Sequence, residues 1–163
     1  MKSENIKKIV ISIFILLFIF LLDRISKILI LNILEETGQV DIYINSFLNF
    51  YLVCNKGIGF GLLSSDQDSF YNLVTILIVL INFVIIYLLF REKGFKYYFL
   101  IVILGGSLGN LFDRLIYNAV PDFIDFHINN FHWFIFNPAD IFITIGITCL
   151  ILDEIFFKNQ RND

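Results

Sequence analysis

The sequence contains little charge and few of the residues that build metal centres or cross-links. Charged residues make up 17% of the 163 residues, and the net charge of −3 leaves no basic stripe to bind a phosphate backbone. Cys54 and Cys149 lack the spacing of a metal or redox motif, and the two histidines, His127 and His132, do not form the His-Glu-x-x-His pattern of zinc proteases. We therefore expect no nucleic-acid partner, no disulfide, and neither a metal nor another cofactor.

Apolar residues, in contrast, are abundant and are gathered into long runs. They make up 58% of the chain, whereas a soluble domain is about half apolar and carries more charge. Four runs are long enough to cross about 30 Å of hydrocarbon as helices: Ile9–Leu31, Phe70–Phe90, Tyr97–Leu115 and Asn137–Phe157. The sequence predicts a mostly α-helical membrane protein, with residues 1–163 forming a single domain around a four-helix transmembrane bundle.

The basic residues are distributed unevenly around these runs. Eight of the twelve flank the same side of the four spans: Lys2, Lys7, Lys8, Arg91, Lys93, Lys96, Lys158 and Arg161. By the positive-inside rule that side is cytoplasmic, so both termini are expected in the cytoplasm. The connections at Asn32–Ser69 and Ile116–Phe136 are then expected on the outer side.

The first of these outer connections contains two short runs of β-branched and aromatic residues. Val40–Ile44 and Phe47–Val53 are bounded by Gly and Asn, which is typical of short strands. A glycine-rich stretch, Asn55–Gly61, follows them and permits close approach of another chain. We expect a small β element over about residues 40–61, between spans one and two, on the outer membrane surface.

Two aspartates, Asp122 and Asp140, lie at the edges of apolar runs, where an ionisable group is costly and so indicates function. Each also has a simpler interpretation. Asn137 fits a helix N-cap, Pro138 the first helical position and Asp140 the third, so Asp140 completes a helix start. Asp122 fits a solvated acid in a connection. One connection nevertheless places both acids at the mouths of spans three and four, where two carboxyls can share a proton and activate a water, as in aspartic proteases.

The third span contains an unusual cluster of small and polar residues. Gly105-x-Ser107-x-Gly109 matches the nucleophile elbow of serine hydrolases, which requires a strand, a sharp turn and a helix. The same glycines form a Gly-xxx-Gly surface for close helix packing in lipid, which we favour. Ser107, Asn110 and Arg114 form one helical stripe that is expected to face the bundle interior.

Asp23 and Lys27 lie four residues apart on the first span and can pair with each other or with that stripe. A neutralising ion pair that only permits membrane insertion is an equally good interpretation.

An alternative function is a transporter or channel that uses Asp23, Asn110 and Arg114 as an ion path. Such a protein is expected to spread polar residues across the membrane depth and to contain an internal repeat. Here the polar residues concentrate toward the outer end of the spans, and no repeat is present. The third option is an assembly or scaffold protein, which would not require two acids at one membrane depth.

Together these motifs resemble those of bacterial lipoprotein signal peptidase (signal peptidase II), and the resemblance covers essentially the whole chain. The motifs, in order, are Asp23 with Lys27, Asn55-x-Gly57, Gly109-Asn110-x-x-Asp113-Arg114, Val120-x-Asp122-Phe123 and Phe136-Asn137-x-Ala139-Asp140. The resemblance implies an aspartic endopeptidase of the bacterial plasma membrane, active at the outer face. It implies cleavage of the signal peptide immediately before a cysteine that carries a diacylglyceryl group. It also implies inhibition by globomycin-type cyclic peptides.

Residue by residue, the resemblance implies that Asp122 and Asp140 are the catalytic pair. It assigns substrate binding or support of the site to Asp23, Lys27, Asn55, Gly57, Asn110, Arg114, Asn137 and Ala139. Asp125 matches no catalytic position. The expected partners are the lipid-modified prolipoprotein and membrane lipids, and the chain is expected to be a monomer. Two departures from the family pattern are Pro138, which suits a helix start, and Ile58-Gly59, in the segment expected to cover substrate.

Overall fold

The computed structural model describes residues 2–57, 68–129 and 131–157. Over these ranges the chain forms four α-helices and four β-strands. Two strands lie between the first and second helices, and two lie between the third and fourth. Their bounds are α1 (Lys2–Thr37), β1 (Asp41–Asn45), β2 (Leu48–Asn55), α2 (Asp68–Arg91), α3 (Gly94–Tyr117), β3 (Val120–Ile128), β4 (Phe131–Phe136) and α4 (Pro138–Phe157). The helices predicted from the four apolar runs are all present.

Three of the helices are long and apolar enough to cross a membrane. They are the stretches Glu4–Thr37, Ser69–Arg91 and Phe95–Tyr117. Their outward faces carry large apolar side chains that would be unfavourable in water, such as Phe14, which is 69% exposed, and Phe90, which is 83% exposed. Exposed apolar belts of this kind fit lipid, so the chain is a membrane protein.

The strands form one antiparallel sheet in the order β1-β2-β3-β4. The strands predicted between the first two spans are present as β1 and β2. The sheet is larger than the predicted β element, because β3 and β4 from the connection between α3 and α4 extend it. The central strand β3 is buried and paired on both sides, with Val53 opposite Asp122 and Ile124 opposite Phe136. This partner-dependent pairing is what a local sequence pattern does not reveal.

The sheet docks against the end of α1. At 36 residues, α1 is about 54 Å long, so it extends beyond the apolar run that the sequence predicted. Ile30 of α1 packs with Val40 and with Phe123 of β3 in one buried apolar cluster. This contact places β3, and with it Asp122, beside the C-terminal end of α1.

α3 lies at the centre of the bundle and contacts the three other helices. A Cβ atom on Gly105 would lie 3.1 Å from the Ile19 side chain of α1, and one on Gly106 would lie 2.5 Å from the Ala139 carbonyl oxygen of α4. The helix runs without interruption through Ser107. The helix-packing interpretation of these glycines is therefore confirmed, and the nucleophile-elbow alternative is wrong for this segment.

A cluster of four charged side chains joins α1 to α3. Lys27, Asp23 and Asp113 are fully buried, and Arg24 is 6% exposed. Lys27 Nζ lies 2.9 Å from the Asp23 carboxylate and 2.6 Å from Asp113 Oδ2, while Arg24 Nη2 lies 2.5 Å from Asp113 Oδ1 and 3.2 Å from Asp23 Oδ2. Asp23 Oδ1 also accepts a hydrogen bond from the backbone N–H of Ala139, at 3.2 Å. Two acids and two bases neutralise one another, and their contacts hold three helices together.

We predict that Gly106→Ala destabilises the fold more than Gly105→Ala. At Gly106 the added Cβ meets a backbone carbonyl, which cannot give way, whereas at Gly105 it meets the Ile19 side chain. Overpacking of this kind costs about 1–3 kcal/mol. The measurement is the thermal unfolding midpoint of both variants in detergent micelles. Equal midpoints would contradict the packing derived from the structure.

We also predict that Lys27→Met lowers the unfolding midpoint strongly, because it leaves Asp23 and Asp113 buried with half their counter-charge. Removing one partner of a buried ion pair costs about 3–5 kcal/mol. Ser26→Ala is the control, since the Ser26 hydroxyl bonds only its own helix, at the Asp23 carbonyl. A Lys27→Met protein that unfolds at the wild-type temperature would show that the cluster does not hold the helices.

Candidate active site

The structure brings Asp122 and Asp140 into one buried site, although they lie on different elements. Asp122 is the third residue of β3 and 2% exposed; Asp140 is the third residue of α4 and 5% exposed. Asn137, fully buried between them, donates its Nδ2 to Asp122 Oδ1 at 2.5 Å. Its Oδ1 accepts the backbone N–H of Asp140 at 3.1 Å. One amide side chain therefore bridges the two acidic residues.

The predicted start of α4 is confirmed. The helix begins at Pro138, and Asn137 caps it through the bond to the Asp140 N–H. The Asp140 carboxylate reaches back to the Asn137 backbone N–H at 3.3 Å, which completes a reciprocal cap. Asp140 is thus both a helix cap and a member of the buried site, so the two interpretations do not compete.

The simpler interpretation of Asp122, a solvated acid in a connection, is wrong. Asp122 lies in β3, which is an inner strand of the sheet. Its Oδ2 accepts a hydrogen bond from Asn55 Nδ2 of β2 at 2.8 Å. Burial, followed by the nearby charge of Asp140, raises the pKa of Asp122 from an ordinary 3.8 to about 7, against the lowering effect of the Asn55 and Asn137 amides. Asp122 is therefore about half protonated near pH 7 and mostly protonated below it.

Asp140 is held from the other side by α3. Asn110 Nδ2 donates to Asp140 Oδ1 at 2.8 Å, and Asn110 Oδ1 accepts a hydrogen bond from Lys27 Nζ at 3.0 Å. Gly109, one residue earlier, leaves room for Asp23, since a Cβ there would lie 2.7 Å from Asp23 Oδ2. The charged cluster thus supports the site through Asn110, and the predicted residues of spans one and three do meet.

Arg114 links α3 to the segment that follows β2. Its guanidinium donates to the Gly57 carbonyl oxygen, and Asn55 Oδ1 accepts the Gly57 N–H at 2.7 Å. Tyr71 of α2 donates its hydroxyl to the Arg114 carbonyl oxygen at 2.7 Å, and its ring lies 5.2 Å from the guanidinium. The Nε and Nη1 atoms of Arg114 have no hydrogen-bond partner within residues 2–57, 68–129 and 131–157. Ile58-Gly59, the second departure from the family pattern, lies outside the described residues.

Three residues of this arrangement were given no role from the sequence, although Asp113 stands in one of the motifs that carry the resemblance. Asp113 and Arg24 complete the charged cluster, and Tyr71 supports Arg114. A signal for Asp113 was available, since it is an acid inside an apolar run, three residues after Asn110. Tyr71 had no such signal, because a tyrosine near the end of a span also fits the membrane interface.

Sequence comparisons relate the chain to a known family. Residues 15–156 match the family model described as Signal peptidase (SPase) II. The chain is 49% identical over 163 residues to the lipoprotein signal peptidase of Pelagibacter ubique, which covers 100% of this chain and 98% of that protein. It is 41% identical over 143 residues to the lipoprotein signal peptidase of Aquifex aeolicus, and this match covers 86% of this chain and 83% of that protein.

Solved structures show the same likeness at the level of the fold. A bacterial membrane enzyme determined by the in meso method at 2.3 Å resolution superposes with a TM-score of 0.70 and 28% identity, over 93% of this chain and 90% of that one. A second such structure, at 1.9 Å, superposes with a TM-score of 0.69 over 90% and 93%. With the family model matched over most of its length and a close relative matched end to end, the chain belongs to the signal peptidase II family.

Proposed function

We propose that this protein is an aspartic endopeptidase of the membrane that removes the signal peptide from prolipoproteins. The observation that carries the proposal is the burial of the Asp122 and Asp140 carboxyls in one site, where the Asn137 side chain bonds the Asp122 carboxyl and the Asp140 backbone N–H. Membership of the signal peptidase II family supports it independently. The substrate bond lies immediately before a cysteine that bears a diacylglyceryl group, whose acyl chains stay in the lipid beside the helices.

In the proposed mechanism the two carboxyls share one proton and hold a water. Asp140 is the ionised member, because it sits at the N-terminus of α4, where the helix dipole favours a negative charge. It takes a proton from the water as the water oxygen attacks the scissile carbonyl carbon. Asp122 gives its proton to the carbonyl oxygen, which produces a tetrahedral diol. As the diol collapses, Asp122 takes a proton back from one of its hydroxyls and Asp140 delivers its proton to the leaving nitrogen, so the C–N bond breaks and both carboxyls return to their starting states.

The neighbouring polar groups have supporting roles in this proposal. Asn55 and Asn137 fix the Asp122 carboxyl by donating to both of its oxygens. The two donors of Arg114 that lack a described partner are suited to peptide carbonyls of the extended substrate. Because all of these groups come from one chain, the proposal requires only a monomer. A globomycin-type cyclic peptide bound at these groups would block cleavage.

We further propose that α4 is a fourth membrane span and that the site faces the outside. Its first turn meets α3 through Asp140 and Asn110, and its last turns meet the start of α3, where Lys96 Nζ lies 2.6 Å from Glu154 Oε2 and 3.7 Å from Asp153 Oδ2. α4 therefore runs beside nearly the whole of α3 and covers the same depth. Eight of the twelve basic residues flank the spans on the side opposite to the connections next to the site, which supports cytoplasmic termini.

We predict that Asp122→Asn and Asp140→Asn each lower the rate of precursor cleavage by about 10²–10⁴-fold, because each removes one half of the acid–base pair. The measurement is processing of a lipidated prolipoprotein by purified variants in micelles. Asp41→Asn, an exposed acid of β1, is the matched control. Near wild-type cleavage by either site variant would overturn the mechanism. Loss of cleavage in Ser107→Ala would instead favour a serine enzyme.

We predict that cleavage declines as the pH rises through about 7, because Asp122 must be protonated to act as the acid and its pKa lies near 7. Asn55→Ala removes a donor that stabilises the charged form, so the decline is expected to move to higher pH. The measurement is the midpoint of the alkaline limb of cleavage rate against pH, which is independent of the absolute rate. Asn45→Ala, on exposed β1, is the control. An unchanged midpoint in Asn55→Ala would show that Asp122 does not set this limb.

A further inference from the structure

The β3–β4 hairpin gathers three side chains that the peptidase mechanism does not use. Asp125 and His127 lie two residues apart on β3, and His132 is paired with His127 across the hairpin on β4. The turn between the strands passes through Asn129, whose φ of 52° lies in the left-handed region that Asn tolerates. The register of the hairpin therefore brings two imidazoles and one carboxylate together.

Their potential donor atoms are close enough to bind one ion. Each residue offers a ligand atom, and these atoms lie within 4.8 Å of one another. His132 Nδ1 is 2.8 Å from Asp125 Oδ2, and His127 Nδ1 is 3.7 Å from the same oxygen. Ligands that share one tetrahedral zinc ion at about 2.0–2.2 Å are separated by roughly 3.3 Å. The observed separations lie on either side of that value.

His127 provides the second observation, because it is buried and its Nδ1 is left without a partner. Its side chain is 9% exposed, and Nδ1 makes no hydrogen bond to any residue in the described part of the chain. The 3.7 Å separation from Asp125 is too long for a hydrogen bond. An Asp125–His132 hydrogen bond alone accounts for His132 but leaves a buried polar atom unsatisfied, which is costly. A cation bound to all three residues would satisfy it.

We propose that Asp125, His127 and His132 form a binding site for a divalent transition-metal ion of the zinc class. Two imidazole nitrogens and one carboxylate suit zinc, whereas magnesium and calcium prefer oxygen ligands alone. The His132 side chain is 58% exposed, so water can reach the ion and complete its coordination. The His-Glu-x-x-His pattern, which is absent here, places zinc ligands on one helix, whereas these ligands converge from two paired strands.

The ion has a structural role in this proposal. Its three ligands join β3 to β4, and neither Asp122 nor Asp140 is among them. β3 also carries Asp122, and β4 ends one residue before Asn137. The ion therefore braces the hairpin that carries Asp122 and leads into Asn137, without taking part in bond cleavage.

The test uses the full chain in detergent micelles, with any affinity tag removed and metals stripped by a chelator. Zinc chloride alone is titrated by calorimetry, and bound metal is counted by mass spectrometry. We expect about one zinc ion per chain, an unfolding midpoint raised by several degrees, and no response to magnesium. His132→Ala is expected to weaken zinc binding at least tenfold and to abolish the rise in midpoint. Tyr43→Ala, which removes an exposed ring from the same sheet, is expected to bind as the wild type does.

His132→Ala decides the result because its exposed side chain can be removed without disturbing the fold; His127→Ala then tests the buried ligand. A wild-type chain that binds no zinc overturns the proposal. So does zinc binding that keeps its affinity and stoichiometry in His132→Ala, since this would reveal an adventitious ion only.

Discussion

Neutralisation of charge inside an apolar bundle is the constraint on which the rest of this structure depends. Lys27 and Arg24 of α1 meet Asp113 of α3 and Asp23 of their own helix, and none of these charges can be left unpaired where water is excluded. The Asp23 carboxylate also accepts the Ala139 N–H at the start of α4. The same contacts that permit burial of the charges thereby determine how three helices align, and they support Asn110 beside Asp140.

The buried carboxyls of Asp122 and Asp140 are held differently from those of the charged cluster. Neither Asp122 nor Asp140 has a direct basic partner among the described residues; amide groups hold both of them. Amides orient a carboxyl without supplying a full positive charge, so burial and the nearby charge of Asp140 raise the pKa of Asp122 to about 7. The charged cluster and the carboxyl pair are adjacent, yet one is neutralised for stability and the other remains able to exchange protons.

Much of the architecture could be predicted because it depends on local features. Apolar run length indicated the helices, and the Asn137–Asp140 spacing indicated the start of α4. The i, i+4 spacing of Asp23 and Lys27 indicated their pairing. Predictions failed where the cause was non-local. β3 forms because β2 and β4 pair with it, so Asp122 was assigned to a connection. Asp113 was named in a motif but given no role, because its importance depends on Lys27 and Arg24, which are 86 and 89 residues away in sequence.

The sequence by itself determined that this chain is a membrane protein of the signal peptidase II type, with two acids at the ends of apolar runs. Hydrophobicity, cap chemistry and motif spacing are properties of neighbouring residues, so they can be recognised without coordinates. Only the tertiary structure decided that Asn137 bridges Asp122 to the Asp140 backbone, that Asn55 donates to Asp122, and that two histidines meet Asp125. These contacts join residues on separate strands and helices, and their distances follow from strand register and helix packing.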